Sequence, residues 1–423
     1  MRSVKNKREV IEQDYAKNQI LKTEKHALDI VYDKSERKAR KARKPRKSRG
    51  ILRKLWGFTY RMAIIFIVIG LFIMYGPSTK FRDWYITTAM TTMNHQYLAT
   101  WFYSTETIQD VMDRNKMIEV DSVTDPSLIE FEIEEIDDTE YENEYEEAVL
   151  KRDKSHPEYK IIRIKESSFA GYLAVIYDPS SIQALVTSKL DEEGQYLMDM
   201  AEEAGATIAI NGGVFTGLST STEDLKSQEI AYGGNGGKPQ GITIRNGEVI
   251  TNTRYDGAGG LIGFTNDNKL VLGKMNLDKA QSLGVRDAVT CGPFLIINGE
   301  SSSTAGNGGW GTAPRTAIGQ RQDGIVLMLS VDGRRATMPG ATMPDLIKIM
   351  QNYGAYNASA LDGGTSTAMV ENGKLLNDPI DSTGAHATRP IATGFGAVFN
   401  KQKEWFWAIL RTFLKIIELE SVN

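Results

Sequence analysis

The chain reads as an α+β protein, with mainly antiparallel or mixed sheets, few flanking helices and one transmembrane helix ahead of them. Three observations predict this. From about Tyr159 to Asn400, short β-rich runs are punctuated by glycine. Several of those runs face each other across Asn-Gly or Asp-Gly, the strongest short-range signal for an antiparallel hairpin. Few segments between them carry a helical period.

The N-terminal third supplies the membrane element. At 423 residues the chain has room for one large catalytic domain plus accessories. Its net charge of −4 says little, but the charge is segregated. Residues 1–54 form a basic tail in which Arg37–Lys54 contains no acid. Residues 55–76 are apolar and long enough to cross a bilayer, interrupted by Arg61 close to the basic end, where it can snorkel to the headgroups. The basic run abuts this segment, which favours a membrane-flanking role over a nucleic-acid arm. No small-x-small cleavage site follows, so the segment reads as a signal anchor and not as a cleaved signal peptide. The basic flank comes first, placing the N-terminus in the cytoplasm and everything after about Gly76 outside. The expected localisation is thus the cell membrane, single-pass. The lone cysteine, Cys291, excludes an intrachain disulfide, which suits a bacterial envelope.

Four further segments follow. Residues 77–118, aromatic and rich in Thr and Met, are expected to be juxtamembrane and helical. Residues 119–158 are strongly acidic and are expected to be a solvated linker, because like charges repel; calcium-loop spacing is not present. Residues 159–400 form the catalytic domain. Residues 401–423 form an amphipathic C-terminal helix suited to the membrane interface or to docking on the domain.

Inside the domain, hairpins are expected at Ile242–Ile250, Phe294–Gly299 and Ala368–Leu376, each around Asn-Gly. A fourth pairs Arg315–Gln320 with Gly324–Val331. Helices are expected over Pro344–Tyr353, capped by Thr342, and over roughly Glu192–Ala204.

Two stretches share one plan: helix, glycine stop, short small-residue strand, then Asn or Asp with two glycines. The first ends in Asn211-Gly212-Gly213 and the second in Asp362-Gly363-Gly364. Such endings are often plain turns, but together they place an amide and a carboxylate at the ends of two similar strands. The reading therefore expects Asn211 and Asp362 in one cleft with Arg315. Arginines at Arg315 and Arg389 follow or precede glycine-rich loops, and arginine's planar fork suits phosphate or carboxylate. A surface ion pair is the plainer reading of any one of them. Asp332 ends another strand. Cys291 reads as a small buried thiol, since His26, His95 and His156 lie far from it along the chain and only His386 sits near a late loop. Without clustered Cys and His, neither a zinc site nor any other metal or cofactor is expected.

The motif series NGGVF (211–215), KPQGITIRNGEVI (238–250), CGPFLIINGE (291–300), APRTAIG (313–319), DGGTSTAMV (362–370) and RPIATGFG (389–396) closely resembles the phosphodiester glycosidases. These are relatives of the lysosomal uncovering enzyme that removes N-acetylglucosamine from mannose 6-phosphate. The resemblance runs over about Ile161–Asn400 and respects motif order. The chain lacks the animal enzyme's cysteine-rich module and has Cys291 where glycine is common. The resemblance implies a bacterial, membrane-anchored member that hydrolyses a sugar-1-phosphodiester in exopolysaccharide or cell-wall metabolism.

A phosphate monoester leaves more readily than a sugar alkoxide, so cationic stabilisation matters more than a strong general acid. On that footing Asp362 is the base or nucleophile and Asp332 the reserve carboxylate. Arg315 and Arg389 bind phosphate, Asn211 binds sugar hydroxyls, and Thr365 and Ser366 donate hydrogen bonds. Gly212, Gly213, Gly363 and Gly364 make room for substrate. The expected partners are the membrane, a phosphodiester-linked glycan, and either a second copy of the chain or envelope glycan-assembly proteins; nucleic acid is not one. Two rivals remain: a non-catalytic envelope glycan-binding scaffold of the same fold, and a metal-dependent hydrolase cutting the phosphate side of the diester.

Overall fold

The structure, a computed structural model, describes residues 2–42, 49–77, 79–92, 95–131, 141–218, 230–232, 234–380 and 384–399. Two compact units separate at Pro77. The first holds two helices, Arg2–Ala42 and Arg49–Tyr75. Within the second helix, Leu55–Tyr75 is long and apolar enough to cross a membrane; its 21 residues rise by about 31 Å at 1.5 Å each, close to a hydrocarbon core. Basic residues precede it.

The second unit is built on three larger sheets whose ladders are antiparallel among the described residues. A seven-stranded sheet runs in the order Glu300–Ser301, Phe294–Ile297, Ala355–Ala360, Arg315–Arg321, Val326–Val331, Ala170–Ile176 and Tyr159–Lys165. One five-stranded sheet orders Lys374–Leu375, Met369–Glu371, Ile208–Asn211, Thr393–Ala397 and Ile182–Val186. The other contains Ile242–Arg245 and Val285–Cys291 next to each other. All four expected hairpins form. At the three Asn-Gly turns both residues have positive φ, as with Asn246 at 50° and Gly247 at 80°, the left-handed pair that matches strand twist.

Period-two alternation then decides the layers. In Val326–Val331, Val326 and Met328 face a core shared with Ile208, Ile210, Phe264 and Phe395 of the other sheets. Leu327, Leu329 and Val331 face the opposite way, against Leu346, Ile347 and Met350 of the helix Met343–Asn352. That helix starts where Thr342 and Asp345 form a reciprocal capping box. It ends ahead of Gly354 at φ +81°, which an L side chain would resist. The helix expected from Glu192 begins only at Leu197. The reason is a competing contact: Gly194 donates to the Asn235 carbonyl and Gln195 pairs with Ile391, so this stretch is held extended.

The 77–118 segment is helical over Thr79–Met90, Tyr97–Thr100 and Thr105–Arg114, with Ile86, Ala99 and Val111 buried. The acidic stretch 119–158 is less detached than like-charge repulsion suggests. Its scattered apolar residues pull both ends onto the domain: Ile129 and Val149 are buried, and Tyr145 meets Tyr353 edge-on. Residues 132–140 and the expected C-terminal helix at 401–423 lie outside the described residues.

Candidate active site

The two repeated endings meet, although they belong to different sheets. The Asn211 side-chain amide donates to the Asp362 carbonyl at 2.6 Å, and the Asp362 backbone N–H donates to the Gly212 carbonyl at 3.0 Å. This close approach needs glycine. A Cβ on Gly213 would stand 2.5 Å from the Thr290 carbonyl oxygen, and one on Gly212 would stand 2.9 Å from the Gly394 nitrogen.

Asn211 itself is fully buried. Its Oδ1 accepts from the Thr316 hydroxyl at 2.6 Å and from the Ala368 N–H at 3.1 Å. The sugar-hydroxyl role expected for Asn211 therefore gives way to a structural one. A buried amide engaged on both sides clamps Asp362 from behind and cannot reach a ligand.

Asp362 lies just past the strand Ala355–Ala360 and is partly accessible. Burial pushes its carboxyl above the ordinary range. Against that act, in falling order, a hydrogen bond from Ser366, the charge of Arg389, the Gly363 N–H and the charge of Arg315. The result is a carboxylate with little water, ringed by cations and donors. The buried Cys291 thiol is pushed up by burial and by the Asp362 charge, which keeps it protonated and inert.

Arg315 opens the strand Arg315–Arg321 and is only 7% exposed. Among the described residues no carboxylate comes within ion-pair distance of it. Its Nε donates to the Ala341 carbonyl at 3.4 Å, and its Nη2 donates to the carbonyls of Trp310 at 2.5 Å and Gly311 at 3.4 Å. In this arrangement Nε and Nη2 serve those carbonyls. Nη1 remains, lying 3.6 Å from where a Gly363 Cβ would be. Burial and the nearby charge of Arg334 bring the guanidinium down to about 10, with Asp362 acting the other way. A cation held this dry is stabilised by an arriving anion.

Arg389 donates to the Gly234 carbonyl at 2.6 Å and lies over the Phe215 ring at 5.0 Å. Thr365 accepts from Arg334 at 2.6 Å. Arg334 is the residue that sequence reasoning passed over. It follows Asp332-Gly333 at a strand end, has φ +61°, and faces the Gly364 turn from the rim. Strain of that kind at an arginine is a functional pointer, but no residue pattern announces it.

Asp332, 6% exposed, is engaged by backbone and amide donors. Its carboxylate accepts from Asn377 Nδ2 at 3.1 Å and from the Asp378 N–H at 3.1 Å. It thereby holds the 377–378 turn. His386 pairs with Asp378 at 2.6 Å on the exposed surface.

A partly accessible carboxylate at a seam between sheets, with Arg315 and Arg389 acting on its charge, is an arrangement suited to an anionic ligand. Residues 204–398 match the family model described as phosphodiester glycosidase. A curated relative, the SPbeta prophage-derived uncharacterized protein YomE of Bacillus subtilis (strain 168), is 30% identical over 154 residues. That match spans 34% of this chain and about a quarter (24%) of the relative. Among solved structures, the zebrafish N-acetylglucosamine-1-phosphodiester alpha-N-acetylglucosaminidase catalytic domain, auto-inhibited by its pro-peptide, is similar at TM-score 0.45 and 22% identity. The match covers 57% of this chain and 82% of that one. A putative exported protein of Burkholderia pseudomallei K96243 is similar at TM-score 0.40 and 15% identity, over 55% and 74%.

Proposed function

We propose that this chain hydrolyses the C1–O bond of a sugar-1-phosphodiester, releasing free sugar and a phosphate monoester. One observation carries the reading: the buried Arg315, lacking a carboxylate partner among the described residues, keeps Nη1 beside the turn that bears Asp362. Asp362 acts as base or nucleophile at the anomeric carbon. Arg315 and Arg389, with Arg334 at the rim, take the charge that builds on the departing phosphate. Ser366 holds the carboxylate in place, and Thr365 holds Arg334.

Incubating the full chain with a panel of sugar-1-phosphodiesters and identifying the products tests this directly. Free reducing sugar plus phosphate monoester supports it. Sugar phosphate plus alcohol reassigns the protein to cleavage on the phosphate side, and binding without turnover reassigns it to a glycan-binding scaffold.

The pH profile supplies a second check. Burial raises Asp362, so the acid limb of kcat/KM should lie above the ordinary carboxylate range. Arg389→Gln removes a charge that favours the ionised form, and the limb should move further up. A limb that stays put or moves down would detach Asp362 from catalysis.

The domain belongs outside the cytoplasm in this reading, since basic residues precede the Leu55–Tyr75 helix. There it would act on exopolysaccharide or cell-wall glycan. Protease added to intact spheroplasts should remove the domain. Complete protection until lysis would place it inside.

A further inference from the structure

The loop that orients Arg315 has only short-range bonds of its own, the Gly308 N–H to the Ala305 carbonyl and the Gly309 N–H to Asn307 Oδ1, each at 3.0 Å. Within residues 306–312, Gly306, Gly308, Gly309 and Gly311 all have positive φ, and glycine-dense backbone resists no alternative conformation. Further restraint comes from the helix Thr79–Met90 and its neighbours, far away along the sequence. Trp84 Nε1 donates to the Thr312 hydroxyl at 2.9 Å, and the Thr312 N–H donates to the Thr88 hydroxyl at 3.3 Å. Asn307 Nδ2 donates to the Thr87 hydroxyl at 2.7 Å. The Thr91 hydroxyl, one residue past the helix, packs 3.2 Å from the Trp310 carbonyl, the same oxygen that accepts from Arg315 Nη2, while its single proton has nearer acceptors in the Thr87 and Thr88 carbonyls at 2.9 and 3.1 Å. The fit leaves no spare room, because a Cβ on Gly311 would stand 2.5 Å from the Thr88 Cα.

We propose that the helix Thr79–Met90 is a positioning element of the substrate site. By pinning 306–312 it fixes the Trp310 and Gly311 carbonyls, which take both Nη2 protons of Arg315 and so turn Nη1 toward the Asp362–Gly363 turn. Thr88 and Trp84 are positioning residues and touch no substrate. The proposal rests on the phosphodiester reading for its ligand class. It adds that a catalytic domain cut free of this helix loses its grip on phosphate before it loses its fold.

The test uses the full chain in detergent. Thr88→Val and Trp84→Phe keep shape and remove one hydrogen bond each; Thr88→Ser keeps the hydroxyl. Three readouts are taken: steady-state kinetics on a sugar-1-phosphodiester and on an activated aryl glycoside, inorganic phosphate binding by calorimetry, and amide exchange across 306–312. Thr88→Val and Trp84→Phe should raise KM for the diester by about 5–20-fold, the scale of a displaced contact. They should also weaken phosphate binding similarly and speed exchange in the loop. Losses on the aryl glycoside should be smaller, Tm should barely change, and Thr88→Ser should restore wild-type values. Faster exchange with unchanged phosphate affinity would overturn the proposal, as would equal losses on both substrates. If the wild type turns over no diester, the functional reading falls, and phosphate binding alone still decides the positioning role. A wild type that neither binds phosphate nor turns over diester would overturn both.

Discussion

Replacing Asp362 by Asn is expected to lower turnover by about 10²–10⁴-fold, the range for loss of an acid–base group, without disturbing the fold. The structure explains why the two effects separate. The seam between sheets uses the backbone of Asp362, its N–H to Gly212 and its carbonyl from Asn211, and not its carboxylate. Stability should even rise. Burial lifts the folded-state carboxyl above its unfolded value, so the native protein holds that proton to higher pH than the unfolded chain does. Its stability therefore falls as pH climbs from the unfolded carboxyl range through the folded one, and the deficit persists above. The Asn variant has no such deficit. It should melt higher at neutral pH, by about 2–4 °C per kcal/mol relieved, and the difference should close in acid. Single-turnover kinetics and paired melting curves check both halves. Near-wild-type turnover would remove Asp362 from the chemistry, and a lower melting temperature would make it structural.

Arg315→Lys is expected to cut kcat/KM on a phosphodiester by about 10–10²-fold, equivalent to one hydrogen bond between charged groups. The cause is geometric. An ammonium cannot satisfy the Ala341, Trp310 and Gly311 carbonyls and still present a donor at Gly363. An aryl glycoside has no phosphate to lose and should suffer less. Equal losses on both substrates would show that this arginine holds the loop or the sugar.

The architecture was legible because it is local chemistry. Asn-Gly turns, the Thr342 cap and alternating apolar strands each declare themselves within ten residues or so. The pairing of the two Asx-Gly-Gly endings was legible as repetition, yet what each side chain does there was not. Asn211 and Asp332 look like ligands in a motif, and only the partners that close around them, Thr316 and Ala368 for one and Asn377 and Asp378 for the other, show their donors and acceptors engaged. Those partners lie 45 to 157 residues away, beyond any window of periodicity. The same distance hid Arg334, whose backbone conformation no residue type encodes, and the helix Thr79–Met90, whose threonines meet a loop more than 200 residues on. The acidic stretch misled because net charge was weighed above the few apolar residues within it.

The clasp between Asn211 and Asp362 has a consequence for how the protein fails. Many enzymes lose activity through a loop that loosens well below the melting point. Here the backbone that carries Asp362 is anchored between two sheets that share one core, by the Asn211 side-chain amide and by the Asp362 N–H to Gly212, so it should stay in place while those sheets remain packed. On heating, displacement of Asp362 itself should therefore track global unfolding, whereas any earlier loss of activity should trace to the 306–312 loop that orients Arg315.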